Sequence, residues 1–319
     1  MSLTDIFLGT LGITLPVFAM VFIGIGLKRL GWIDQNFVNT ASRLVFRGTL
    51  PTLIFLSLIG ADLGNTFNPW LLLYFALATL ASFLLCWAWA GWRMPRHLRG
   101  VYVQGGFRGN CGIVGMALAH GMYGEAGLSI GGLLLGVVIL TYNILSVVVL
   151  SFYRPRDKGS RLAQWQSITK HILTNPLILA VLAATPLALF EVRLPIWLAT
   201  TGDYFASLTL PLALICIGGT LSTRALKKGY GPALGASTWK MVSIPFLATA
   251  TAWLIGFEGR ELGVMFLFFA SPTAAAAFVM AKAMGGDETL TANIIALTTL
   301  MASITITAGV FALRVAGLI

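Results

Sequence analysis

Charge is what this sequence has least of. Only 10% of its 319 residues are Asp, Glu, Lys or Arg, whereas a soluble globular domain carries about 25%. So few ionised side chains cannot clothe a water-facing surface. With 57% apolar residues and a mean hydropathy of +0.87, the chain is expected inside a membrane. Acidic residues are the rarer sign, 11 against 21 Lys and Arg, for a net charge of +10. In a soluble protein that excess would point to nucleic acid. Between apolar runs it has a simpler origin, the collection of basic residues in cytoplasmic loops, and no nucleic-acid partner is expected. No carboxylates cluster within the apolar runs, so there is no acidic cage for sodium. The expected coupling ion is a proton, or there is none.

Cysteine is equally sparse. Cys86, Cys111 and Cys216 all lie inside apolar runs. Their odd number and lack of metal spacing predict no structural disulfide, no metal site and no cofactor. An HExxH motif, a Ser–Lys pair and paired mid-membrane aspartates are missing too, which argues against an intramembrane enzyme. A cleavable signal peptide carries its positive charges ahead of the apolar core. Here Lys28-Arg29 follow the first run, so that run is expected to stay as a membrane helix with its N-terminus outside.

What the chain does have is apolar runs of bilayer length. About 20 residues span a hydrocarbon core, and ten such stretches occur: 6–27, 37–60, 69–92, 100–122, 126–150, 167–190, 195–222, 232–256, 260–283 and 288–315. The connections are short; the longest, 151–166, carries Arg154, Arg156, Lys158 and Arg161. Loops after odd-numbered stretches are basic (Lys28, Arg29; Arg93, Arg96; the 154–161 cluster; Arg224, Lys227, Lys228). Loops after even-numbered ones are acidic or mixed (Asp62; Glu125; Glu191, Arg193; Glu258, Arg260, Glu261). The positive-inside rule then puts both termini outside, in an inner (plasma) membrane protein. Trp32, Trp70, Trp92, Trp165 and Trp197 fall near stretch ends, where interfacial indoles belong.

A shift of 160 residues brings Pro16 onto Pro176 and Thr49-Leu50-Pro51 onto Thr209-Leu210-Pro211. A shift of 161 brings Arg99 onto Arg260, Asn110-Cys111 onto Ser271-Pro272, and Gly124-Glu125 onto Gly285-Gly286. Each half, 1–155 and 156–319, would hold five spans, so the second enters the membrane upside down. The expected fold class is an all-α polytopic membrane protein, ten transmembrane helices in a 5+5 inverted repeat, with discontinuous helices meeting at the midplane.

Two stretches are badly suited to unbroken lipid-facing helix. The first is Gln104-Gly-Gly-Phe-Arg-Gly-Asn-Cys-Gly-Ile-Val-Gly115, with five glycines in twelve residues. Each lowers helix stability by about 1 kcal/mol relative to alanine. An unwound turn near Asn110 would leave the amides of Gly112, Ile113 and Val114 free to face an anion, and Arg108 adds a donor fork suited to a carboxylate. Small residues that merely permit helix packing would explain the glycines but not Arg108. The second is Phe269-Ala-Ser-Pro-Thr-Ala-Ala-Ala-Ala277, where Pro272 removes one backbone bond near mid-depth. Ser271 and Thr273 offer hydroxyls to the freed backbone or to a solute. A simple proline kink is the plainer reading, but the registration with Asn110-Cys111 favours a functional break.

Other polar groups are weighed against these. Arg47, one turn before Pro51, either lines the same cavity or snorkels to the interface. Asn143 is placed to face the first break, with Asn293 its approximate counterpart. Lys240, Asp203, His120 and Lys282 lie closer to stretch ends and are expected to snorkel, although His120 could carry a proton.

Arg108-Gly-Asn-Cys-Gly-Ile-Val-Gly115, Ala270-Ser-Pro-Thr-Ala274 with Phe278 through Gly286, and Leu297-Thr-Thr-Leu300 together resemble the auxin efflux carrier family, the bacterial relatives of plant auxin transporters, within the group that includes bile-acid sodium symporters. The resemblance covers the whole chain. It implies ten helices with spans four and nine crossing at their breaks, and a scaffold of spans 1, 2, 6 and 7 against a transport unit of spans 3–5 and 8–10. It also implies elevator-like movement of small organic anions, dimers, and Asn110, Asn143 and Pro272 at or near the substrate. Family members often have proline where Ala117 stands here, so the first break must rely on glycine. The expected function is a secondary carrier of a mono- or dicarboxylate, with Arg47, Arg108, Asn110, Cys111, Gly112, Asn143, Ser271, Pro272 and Thr273 as candidate binding residues. The alternatives are an anion channel or a non-transporting membrane sensor on the same fold.

Overall fold

The computed structural model describes residues 2–60, 68–153, 174, 176–190, 192, 194–220 and 230–319. Asp62, Arg154, Arg156, Lys158, Arg161, Trp165, Glu191, Arg193, Arg224, Lys227, Lys228 and the start of the sixth apolar stretch lie outside the described residues.

The apolar runs fold as helices whose ends are set by polar caps. Helix α1 (Leu3–Arg29) starts at a capping box in which the Ser2 hydroxyl accepts from the Asp5 amide and the Asp5 carboxylate accepts from the Ser2 amide. Helix α2 (Gln35–Ile59) is capped by Asp34. Helix α3 (Pro69–Arg93) is capped by Asn68, with proline in the first turn where its missing N–H is harmless. The fourth apolar stretch forms two pieces, α4 (Arg96–Phe107) and α5 (residues 111–123). Gly124 then turns the chain with φ +59 and ψ −139, a conformation glycine reaches without strain, and α6 (125–153) follows. Next come α7 (Pro176–Leu189), α8 (Ile196–Thr220) and α9 (230–254). The ninth stretch is again two pieces, α10 (Gly259–Phe269) and α11 (Ala276–Ala283), and α12 (Glu288–Val315), capped by Asp287, ends the chain.

The described residues are predominantly helical and contain no strand, only an isolated antiparallel bridge between Gly109 and Thr273. Among the described residues six helical segments are long and apolar enough to cross a membrane, the 43-residue run Cys111–Tyr153 being one segment folded at Gly124. Trp32, Trp70, Trp92 and Trp197 are all exposed.

Among the described residues three helices carry a π-helical turn: Val45–Thr49 in α2, Cys111–Gly115 opening α5, and Trp239–Ser243 in α9. The first and third precede Pro51 and Pro245, which lack the N–H that a regular turn would use.

Helices α1, α2, α7 and α8 pack on one another, α1 against the second half of α8 and the second half of α2 against α7. The α1–α8 crossing is a backbone contact: a Cβ on Gly218 would lie 2.0 Å from the Val21 carbonyl oxygen, and one on Gly24 would lie 2.2 Å from that of Ile215. In lipid, where apolar side chains gain little by meeting each other, this close approach is what holds helices together. The Lys28 ammonium adds a bond to the Gly219 carbonyl. Helices α3, α4, α6, α9, α10 and α12 gather around the broken segments. Each break is preceded by a buried phenylalanine set among rings. Phe107 meets Phe83 at 5.1 Å and Tyr142 at 5.5 Å edge-on, and Phe269 stacks on Phe75 at 4.5 Å.

Gly218→Ala and Gly24→Ala are expected to destabilise the purified protein by about 1–3 kcal/mol through overpacking. Gly26→Ala, whose Cβ would meet nothing within 4 Å, should leave the thermal midpoint unchanged or raise it. Equal midpoints for all three variants would show that the crossing tolerates separation.

Candidate functional site: two crossing helix breaks

Helix α4 stops at Phe107 because the next residues turn extended, and α5 resumes at Cys111. Helix α10 stops at Phe269, and α11 resumes at Ala276. The two extended pieces lie antiparallel and bond to each other. The Asn110 amide donates to the Pro272 carbonyl at 2.6 Å, and the Ala274 amide donates to the Arg108 carbonyl at 3.4 Å. Backbone groups lost from two helices are thereby satisfied inside the protein, the condition for irregular chain at membrane depth.

The remaining orphan groups are capped by side chains from the opposite break or from neighbouring helices. The Thr273 hydroxyl donates to the Gly105 carbonyl at 2.8 Å, and its amide donates to Thr298 Oγ1 of α12 at 3.1 Å. The Ser271 hydroxyl donates to the Leu267 carbonyl at 2.8 Å. Pro272 has no N–H for the Phe268 carbonyl, which accepts instead from Cys111 Sγ at 3.3 Å and from the Ser271 amide. Ser271, Thr273 and Cys111 are thus committed to the break itself, and all three cysteines are buried and unpaired. The amide expectation shifts by one register. Ile113 and Val114 both donate to the Asn110 carbonyl, at 3.4 and 3.0 Å, so the amides ahead of the α5 ladder are those of Cys111 and Gly112. Asn110 and Gly112 are half-buried.

Arg108 turns from the break toward α6. It is 8% exposed. One Nη donates to Ser146 Oγ at 3.1 Å, to Met280 Sδ at 3.0 Å and to the Tyr142 carbonyl at 3.4 Å. The other donates to Asn143 Oδ1 at 3.1 Å, and Nε has no partner. Every acceptor is neutral. Among the described residues the only ion pair is Lys282–Glu288, at 3.2 Å on the surface. Desolvating an ion costs several kcal/mol in a real protein, and neutral acceptors return only part of that. Among the described residues no carboxylate answers this buried cation, and α5 starts three residues after it with its N-terminal, amide end; both features favour negative charge.

A family model described as membrane transport protein matches residues 11–309. The chain belongs to that family, the auxin efflux carriers. Relatives align end to end at low identity. An uncharacterized transporter of Methanocaldococcus jannaschii is 25% identical over 90% of this chain and 93% of its own. One of Methanothermobacter thermautotrophicus is 26% identical over 94% and 97%. A Rhizobium meliloti protein named "Putative malonate transporter" is 24% identical over 95% of each. The family and these relatives are transporters rather than enzymes.

In this family member the structure brings together Arg108, Asn110, Cys111, Gly112, Asn143, Ser271, Pro272 and Thr273. Arg47 stands apart: it is exposed, and no bond joins it to the crossing. Its place on the π-helical turn of α2 points the side chain out of the bundle. His120, Asp203 and Lys282 are exposed. Ala117 is buried in α5, within unbroken helix, so the first break sits upstream of it on glycine. Lys240 corrects the expectation of snorkelling. It is fully buried, and Nζ donates to the Phe269 carbonyl at 2.5 Å. Ser146, Met280 and Thr298 were also not singled out in the sequence. Thr298 could have been found, since it lies within Leu297-Thr-Thr-Leu300.

Thr273→Val should destabilise the protein by about 1–3 kcal/mol, the usual penalty for stranding a buried carbonyl, and Thr273→Ser should restore most of it. Chemical unfolding in detergent checks this; a Thr273→Val protein as stable as wild type would remove the hydroxyl from the cap.

Proposed function

We propose that this chain is a secondary transporter of a small organic anion, with a dicarboxylate such as malonate as the first candidate. The observation that carries the reading is the buried Arg108 guanidinium, held among the described residues only by neutral acceptors and set in the break from which α5 starts three residues later, at Cys111. A carboxylate fits both features, and its charge compensates the guanidinium. A relative that aligns over 95% of both chains carries malonate in its name, which supports the size and charge of the solute. Asn110 and Asn143 would orient it; Ser271, Pro272 and Thr273 would hold the frame. Sodium is the less fitting coupling ion, because the apolar stretches hold no cluster of carboxylates; a proton, or no ion, fits better.

The architecture proposed is ten spans in a 5+5 inverted repeat of residues 1–155 and 156–319. The antiparallel pairing of the two breaks supports it, since halves of opposite orientation must cross in that sense. The packing of α1, α2, α7 and α8 on one another supports a scaffold of spans 1, 2, 6 and 7, against which spans 3–5 and 8–10 move as an elevator. A homodimer in the inner membrane, with both termini outside, completes the proposal.

Malonate and other short mono- and dicarboxylates are screened by thermal shift on purified protein. An anion should stabilise wild type saturably, with Arg108→Ala losing that shift and Arg108→Lys keeping a part. In proteoliposomes the same anion should drive saturable counterflow, which a channel does not support. A shift that survives unchanged in Arg108→Ala would sink the assignment of Arg108.

A reporter enzyme active only outside the cytoplasm, fused after Ile319, should be active, and one fused between Met94 and Arg96 inactive. The reverse pattern would invert the proposed orientation.

A further inference from the structure

Lys240 is used by nothing in the reading above, yet it is the more deeply buried of the two cations at the crossing. Its side chain is 0% exposed, against 8% for Arg108. It rises from the π-helical turn Trp239–Ser243 of α9, two residues after which comes Pro245. Its bond is to a carbonyl rather than to a carboxylate. That carbonyl belongs to Phe269, the last residue of α10. In an unbroken helix the Phe269 oxygen would take the Thr273 amide. That amide is diverted to Thr298 Oγ1, and the ammonium takes the vacated place. Around it the two breaks come close: a Cβ on Gly109 would lie 3.1 Å from Lys240 Nζ, 3.3 Å from the Ser271 carbonyl oxygen and 3.3 Å from Cys111 Sγ.

The end of a half-helix carries partial negative charge in its unpaired carbonyls. In carriers built on discontinuous helices, such ends and unwound carbonyls coordinate the coupling cation. Here a covalently attached cation already sits at one. We propose that the Lys240 ammonium is a built-in substitute for a coupling metal cation, neutralising the end of α10 and holding the two breaks together, so that this protein needs no sodium to organise its crossing. The inference rests on reading the crossing as the binding region. It assigns Lys240 as a positioning residue, since the bond its ammonium makes is to the frame, at the Phe269 carbonyl, and the malonate arm of the test below decides whether its other donors serve a solute.

The test is run first without any organic anion, so that its outcome stands whether or not malonate binds. Thermal midpoints of purified full-length wild type, Lys240→Ala and Lys240→Gln are measured in choline chloride, and then with sodium, lithium or methylammonium chloride at equal ionic strength. Wild type should be indifferent to the cation. The variants should melt several degrees lower in choline and recover at least half of that loss, saturably, with a small cation. Glutamine keeps the chain length and an N–H donor without the charge, and decides the matter if the alanine variant does not fold. Malonate is then added. A variant whose malonate shift returns only with the small cation supports the proposal. Variants indifferent to sodium and methylammonium would overturn it, and so would a wild type stabilised saturably by sodium. Loss of the malonate shift that no cation restores would make Lys240 a direct anion ligand instead, and would also overturn it.

Discussion

Two short extended segments, each torn from its own helix, bond to one another in the interior of this protein. Asn110 gives its amide to Pro272, and Ala274 gives its amide to Arg108. Neither segment could remain unwound alone, because hydrocarbon offers nothing to a bare peptide group. The pairing makes each break a condition for the other. Thr273 reaches across to Gly105, Cys111 reaches across to Phe268, and Lys240 and Thr298 close the groups that remain. The helices gathered around the crossing supply those donors and the rings that fix Phe107 and Phe269.

Electrostatics then separate two cations that composition alone treats alike. The Lys240 ammonium lies on a helix C-terminus, where the backbone already carries negative character. The Arg108 guanidinium lies among an amide, a hydroxyl, a carbonyl and a thioether, with Nε unpartnered. Neither charge meets a carboxylate among the described residues, but only the ammonium sits on the carbonyl end of a helix. A solute bearing a carboxylate would complete the second, which is why the proposal centres on Arg108 and treats Lys240 as part of the frame. Planarity sharpens the difference, since a guanidinium fork can hold a carboxylate by two parallel bonds and an ammonium cannot.

The chain belongs to a transporter family, at about a quarter identity to relatives from two archaea and a bacterium, and the crossing lies within the matched residues. Much of it was readable beforehand. Glycines at 105, 106, 109, 112 and 115 and the single Pro272 marked both breaks, because backbone irregularity leaves a local compositional trace. Asn143 stood out because few polar side chains occur in its stretch, and its Oδ1 accepts from Arg108 at 3.1 Å. Arg47 was left between cavity and interface, because a charged residue inside an apolar run signals depth but not the side of the helix it occupies; in the structure it is exposed. Lys240 misled, judged by its distance from a stretch end when its burial depends on what α9 packs against.

The sequence by itself determined that this is a helical membrane protein and which two of its apolar stretches would be interrupted. These follow from local quantities: the length of apolar runs, the charge of the loops between them, and the backbone preferences of glycine and proline. Only the tertiary structure decided that the interruptions meet, that Thr273 and Ser271 serve the backbone, and that Lys240 and not Arg47 joins Arg108 at the crossing. The crossing depends on contacts between residues some 160 positions apart in the chain, Lys240 on one 29 positions away, and the partner of a buried polar group is set by the face each helix turns inward once all of them are packed.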